Sequence, residues 1–208
     1  MSKKTPKERI VKLADTPVEF TVLGLDCSSS VVGWGLIGCK SDKSLILLAH
    51  GHIKPLDSKH ELFVRLNDIF DRIGQLCFDL SPTYIAVEDI FTYIKGKSTA
   101  KTITILTAFN RVIGLAAYKK NENVLLYSVN KIRPMIKRSY SIKDKIEKHQ
   151  IPDIIRKYLE PEFGDISNKL GNVSKTTYDE SDGIAVAWAC ALDIPFKMLK
   201  GGFLNEVR

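Results

Sequence analysis

The sequence predicts an α/β domain on a mixed five-stranded sheet, three strands in an antiparallel meander and then parallel strands, flanked by helices. Three observations lead there. Apolar segments of strand length crowd the region before residue 54 and are joined by short connections, which suit antiparallel neighbours. Beyond residue 60, segments with helical apolar spacing alternate with further short apolar runs, the order expected of strands crossing over through helices. A chain of 208 residues with 44% hydrophobic content can fill one core,.

The elements follow in order. Residues 1–19 are polar and basic and read as an arm preceding the folded domain, which spans 20–192, with 193–208 as a tail. The unbroken apolar run 20–26 reads as a strand buried on both faces. Ser28, Ser29 and Ser30 supply a turn, and 31–37 forms the second strand, whose Gly33 and Gly35 suggest a close backbone approach,. The third strand covers 45–53. Over 60–79 the period changes: Leu62, Phe63, Leu66, Ile69, Phe70, Ile73 and Leu76 recur at helical spacing,. Pro82 separates that helix from a strand at 83–88. A polar loop at 92–98 leads to a helix at 99–119, and 124–128 is the fifth strand. A basic stretch follows, then a helix near 143–159 in which Pro152 marks either a start or a kink. Residues 160–178 read as a loop, and the last helix, 180–192, is expected to stop before Pro195.

Composition narrows the function. No apolar run reaches the roughly 18 residues of a membrane span, and the N-terminus lacks the apolar core of a secretory signal. A cytoplasmic protein is expected. Cys27, Cys39, Cys77 and Cys190 are scattered with no C-x-x-C pair, so buried free thiols are expected rather than a zinc cage or disulfide framework. The four histidines show no H-E-x-x-H spacing and read as surface or half-buried residues. Net charge is +7. Lys131, Arg133, Lys137, Arg138, Lys143, Lys145 and Lys148 stand against only Asp144 and Glu147. Five of the seven excess charges therefore fall in one short stretch, a pattern that suits a phosphate backbone as well as a solvated helix face.

Four carboxylates carry the chemistry. Asp26 and Glu88 close the first and fourth strands, where ligands gather at a sheet rim. Asp179 and Asp182, three residues apart at a helix start, project toward nearly the same point. Each has a plainer reading: a turn former for Asp26, a chance strand end for Glu88, a helix cap for Asp179, a dipole partner for Asp182. Gathered together, four acids repel unless hard cations join them, the arrangement of a two-magnesium phosphodiesterase. An all-oxygen ligand set favours two Mg²⁺ ions, with Mn²⁺ expected to substitute.

At this point the chain resembles the RuvC-like Holliday junction resolvases of the ribonuclease H-like superfamily. Leu23 to Gly35 resembles that family's opening G-I-D-P-G-S-x-x-x-G-x-G, with Cys27 and Ser28 in place of Pro-Gly. Ile85 to Phe91 resembles its I-E-x-x-F, and Tyr178 to Ala187 its terminal D-A-A-D-A-L-A-I-A. The three segments keep order and rough spacing across 20–192.

The resemblance implies that Asp26, Glu88, Asp179 and Asp182 bind two divalent ions and hydrolyse phosphodiester bonds in four-way and related branched DNA, during recombination or replication. It places Phe91 where the family inserts an aromatic into the opened junction, although an apolar residue beside Ile90 equally suits the core. Lys95 and Lys97 flank it as possible phosphate contacts. The resemblance also points to basic residues after the fifth strand: Arg133 and Lys145 match best, Lys145 as the lysine stabilising phosphoryl charge, with Lys137, Arg138 and Lys143 as further contacts. A homodimer follows from the two-fold symmetry of a junction, and the helix 99–119 is apolar on more than one face. A flap- or fork-cutting nuclease and a non-catalytic structure-specific DNA-binding protein are the alternatives. A sugar-kinase or actin-like ATPase would need a second lobe, which the chain is too short to hold.

Overall fold

The sheet order is β3-β2-β1-β4-β5. The computed structural model describes residues 17–89, 99–160, 163 and 175–199. Strands β1 (Phe20–Asp26), β2 (Val32–Cys39) and β3 (Leu45–Ile53) form the antiparallel meander. β4 (Tyr84–Asp89) lies parallel to β1, and β5 (Val124–Ser128) parallel to β4. The central strand β1 is therefore paired on both edges, and Leu23 and Leu25 are fully buried.

Helices cover both faces. α1 (Leu62–Leu80) and α2 (Ala100–Tyr118) pack on one side over Leu23, Leu25, Trp34, Ile85 and Val87. On the other lie α3 (Val129–Ser139), α4 (Ile151–Tyr158) and α5 (Lys175–Leu199), over Val22, Ile37, Tyr84 and Ala86. The apolar stripe of α1 faces inward as its spacing requires, through Leu66, Ile69, Ile73 and Leu76. All four cysteines are buried free thiols.

Three expectations need correction. The basic stretch after β5 is itself a helix, α3, because Ile132 and Ile136 lie one turn apart and both enter the core,. The helix expected near 143–159 begins only at a 3₁₀ turn, Lys148–Gln150, and continues as α4; Pro152 marks its start, not a kink,. The last helix, expected at 180–192, begins at Lys175 inside the expected loop and runs through Pro195 to Leu199. Proline removes one backbone donor, while the fully buried Ile194 beside it keeps the helix seated.

Candidate active site

The two-residue period of a strand decides which acids meet. On β1, Leu23 and Leu25 point toward α1 and α2, so Val22, Gly24 and Asp26 take the face under α5. On β4, Ile85 and Val87 join the α1 and α2 side, leaving Tyr84, Ala86 and Glu88 on the α5 side. The parallel register pairs Leu25 with Val87. Asp26 and Glu88 consequently emerge side by side at the carboxyl ends of adjacent strands. Asp89, one residue on, turns to the other face, where Arg111 of α2 reaches it at 3.4 Å.

Glycine brings the second acid pair to them. A Cβ on Gly24 would overlap the backbone of Gly183 and Ala187, and one on Gly33 would overlap the carbonyl of Asp179. A Cβ on Gly35 would fall 2.5 Å from Ile184 Cγ1, and one on Gly183 2.5 Å from the backbone of Gly33. Bare glycine on β1, β2 and α5 thus lets the helix backbone lie directly against the sheet. The first turns of α5 then carry their acids to the strand ends.

Asp26, Glu88 and Asp182 line one cavity of about 210 Å³, together with Arg133 and Lys148. Asp179 lies on the adjoining crevice, which shares Lys148. Burial, then the hydrogen bond and charge of Glu88, push the Asp26 carboxyl well above the usual carboxylate range. Asp182, with 14% of its side chain exposed, is raised to about 6 by burial and then by the Asp26 charge. Lys148 opposes both shifts: its Nζ sits 2.5 Å from Asp182 Oδ2. Burial would lower that ammonium's pKa, but Asp182, Asp26 and Asp179 outweigh it and raise it. The donors are all carboxylate oxygens, desolvated and short of positive charge, and so they fit hard divalent cations. Among the described residues no three His, Cys, Asp or Glu side chains already form a metal cage; Lys148 holds Asp182 instead.

The cations divide differently from expectation. Arg133 lines both the acid cavity and a groove of about 800 Å³ that runs on from it, and Lys137, Arg138 and Lys145 line that groove. Lys143 is exposed and lines neither. Lys145, expected beside the acids, is 85% exposed and pairs with Glu147 at 3.0 Å. The chain between α3 and the 3₁₀ turn is not helical, and it is Lys148 that this geometry delivers to the cavity. Phe91, Lys95 and Lys97 lie outside the described residues.

Two further supports escape a reading of the sequence. Asn110, buried on α2, donates from Nδ2 to the Glu88 carbonyl at 2.7 Å and steadies the end of β4. Arg65, buried on α1, donates to the Ser29 carbonyl at 2.7 Å and the Leu56 carbonyl at 2.9 Å, with its guanidinium 4.9 Å from the centre of the Phe109 ring. Both are polar residues on otherwise apolar helix faces. That is the one sequence signal that could have marked them.

Comparison with known proteins bears on this geometry. The profile of the crossover junction endodeoxyribonuclease RuvC family matches residues 22–189. Crossover junction endodeoxyribonuclease RuvC of Orientia tsutsugamushi (strain Boryong) is 26% identical over 179 residues, 86% of this chain and 99% of that protein. Its counterpart from Ehrlichia canis (strain Jake) is 29% identical over 168 residues, 81% of this chain and 94% of that one. Among solved structures, Thermus thermophilus RuvC in complex with a Holliday junction substrate superposes with a TM-score of 0.63 at 16% identity, covering 85% of this chain and 96% of its own. The yeast mitochondrial Holliday junction resolvase gives 0.50 at 16% identity, covering 96% and 92%. At such identities the structural likeness establishes the ribonuclease H-like fold.

Proposed function

From the premise that the chain belongs to the crossover junction endodeoxyribonuclease RuvC family, we propose that it is a metal-dependent endonuclease that nicks four-way and related branched DNA. The observation that carries this reading is the convergence of Asp26, Glu88 and Asp182 on one cavity that opens through Arg133 into a basic groove. Asp26 and Glu88 from the sheet, with Asp182 and the neighbouring Asp179 from α5, would hold two Mg²⁺ ions; Mn²⁺ has the same taste for oxygen. When bound, such ions polarise the scissile phosphate and activate and orient water for in-line attack.

The chain's own residues do the rest. Lys137, Arg138 and Lys145 attract the phosphate backbone into the groove, with the salt dependence such contacts carry. Arg133, at the junction of groove and cavity, steers one phosphate onto the acids. Lys148 stands beside Asp182 and offers its ammonium to charge developing on the phosphoryl oxygens. Two symmetric nicks need two sites. A homodimer would supply them, and exposed Leu115 and Tyr118 on α2, with Phe63 and Phe78 on α1, offer apolar surface for it. No described helix is long and apolar enough to cross a membrane, and a cytoplasmic location suits an enzyme that acts on branched DNA.

The test is to incubate labelled four-way junction with protein and Mg²⁺. Asp26→Asn and Glu88→Gln should each lower nicking by more than about 100-fold, beyond the range typical of residues one step removed from a metal. Undiminished nicking by either variant would end this reading.

A further inference from the structure

Glu180 sits between two of the acids and takes no part in the cavity. On a helix it projects about 100° away from Asp179, and here that direction leads across β2 to the edge strand. The lane it crosses is bare. Gly33 and Gly35 are the register partners of His52 and His50 on β3, so nothing stands between the helix and those two imidazoles. His50 Nδ1 lies 2.6 Å from Glu180 Oε2, and His52 Nδ1 lies 2.7 Å from Oε1. Each ring donates to one oxygen, and the carboxylate is gripped at both. Only 15% of the Glu180 side chain is exposed. Burial alone would raise its pKa, but the two imidazoles outweigh burial and hold it below the usual range. The His50 ring also rests edge-on against Phe163, with centroids 5.0 Å apart.

We propose that Glu180, His50 and His52 are positioning residues for the acid cavity: the two imidazoles clasp Glu180, fix the rotation of the first turns of α5, and so set where Asp179 and Asp182 stand relative to Asp26. Two bonds to two oxygens resist rotation about the helix axis in a way one bond cannot. Contact of Gly33 with Gly183 fixes how close α5 lies to the sheet, and the buried Ile184, Val186 and Trp188 seat the helix beyond that point; the clasp acts on the turn that carries Asp179 and Asp182, before those side chains. A cation site tolerates only about half an ångström of ligand displacement, which makes that rotation consequential. The clasp matters in this way only if the acids bind cations as proposed above.

Calorimetric titration of the full chain with Mn²⁺ alone, without DNA, tests the clasp. The unaltered protein should bind Mn²⁺ and Asp26→Asn should not. Failure of either result would sink the metal site itself, and the clasp with it. Given that control, Glu180→Ala and the double variant His50→Ala/His52→Ala should bind Mn²⁺ about 10-fold more weakly, the cost typical of removing a residue that orients a metal ligand. Glu180→Gln should stay within about threefold, because one imidazole can switch tautomer and accept from the amide while the other still donates. Alanine variants that bind Mn²⁺ like the unaltered protein would reduce the clasp to a fold contact. Equal weakening by Gln and Ala would assign the effect to charge rather than position. If Glu180→Ala does not fold, His52→Leu, which removes one of the two donors, supplies the same comparison, and undiminished affinity there overturns the proposal.

Discussion

Two charged regions meet at Arg133, and they are built in opposite ways. The acid cavity is made of short side chains on strand ends and a helix start, partly buried and seated on glycine. The basic groove is made of long side chains on α3 and the segment after it, with Arg133 and Lys137 half-buried and Arg138 and Lys145 exposed. Charge in the cavity is poorly screened, so each acid alters its neighbours' protonation; charge in the groove is screened within roughly 10 Å at ordinary salt. The cavity should therefore fail sharply when its geometry shifts, whereas the groove should fail gradually and share its losses.

The largest test of that contrast leaves every charge in place. Gly33→Ala puts a methyl group into the Asp179 carbonyl, and either α5 or β2 must move. Overpacking of this kind should cost about 3 kcal/mol in urea denaturation and abolish nicking while the groove keeps its affinity for DNA. Gly114→Ala is the control, since a Cβ there meets nothing within 4 Å. If Gly33→Ala nicks normally, close approach of helix and sheet is not what assembles the cavity.

A second test follows from the raised carboxyls. Asp182 titrates near 6 in the fold against an ordinary 3.8, and Asp26 is shifted the same way. The folded state therefore binds protons more tightly than the unfolded chain. Its stability should fall as pH rises through the window from about 4 to about 6, and the full penalty should persist above it. For Asp182 alone the change is at most about 3 kcal/mol. Metal-free protein should thus melt at a lower temperature at pH 7 than at pH 5, as far as these groups decide the matter, and Mg²⁺ should restore the difference at pH 7. A metal-free melting curve indifferent to pH across that window would mean the acids are better solvated than their setting implies.

How far the sequence could be read divides along the same line. Asp26 and Glu88 were legible because strands have a fixed period: once the apolar runs are placed, the acid at the end has little choice of face. The antiparallel meander followed from short connections before residue 54 and the parallel strands from helical ones after it, whereas the full strand order, with β4 beside β1 rather than β3, comes from the structure. The second acid pair was legible through its i, i+3 spacing, although how closely α5 approaches depends on glycines whose partners are remote in sequence. The cations were not legible to the same degree. Seven basic residues crowd 131–148, and choosing among them requires knowing where α3 ends and where the 3₁₀ turn begins. Pro134 inside α3 and Pro195 inside α5 disguised helices whose buried isoleucines settle the matter. Asn110 and Arg65 show only as polar residues on otherwise apolar helix faces, and the Glu180 clasp depends on contacts between distant segments and leaves no local pattern.

The smallest expected effects separate two lysines three residues apart. Lys148 lies against Asp182 within the cavity and Lys145 in the groove beside Glu147. Removing the first charge takes a donor from a partly desolvated site. Lys148→Met should lower single-turnover nicking by about 10- to 100-fold and leave junction affinity within a fewfold. Lys145→Met removes one of several screened contacts. It should change nicking at saturating protein by less than about threefold, while the slope of log affinity against log salt falls by up to about 0.9. The two variants thus pull apart what a count of basic residues lumps together, the charge that acts on the reacting phosphate and the charge that gathers DNA. Were Lys145→Met the one to lose turnover, the polarity of groove and cavity would be reversed, with the segment at 143–147 folding over the acids when DNA is bound.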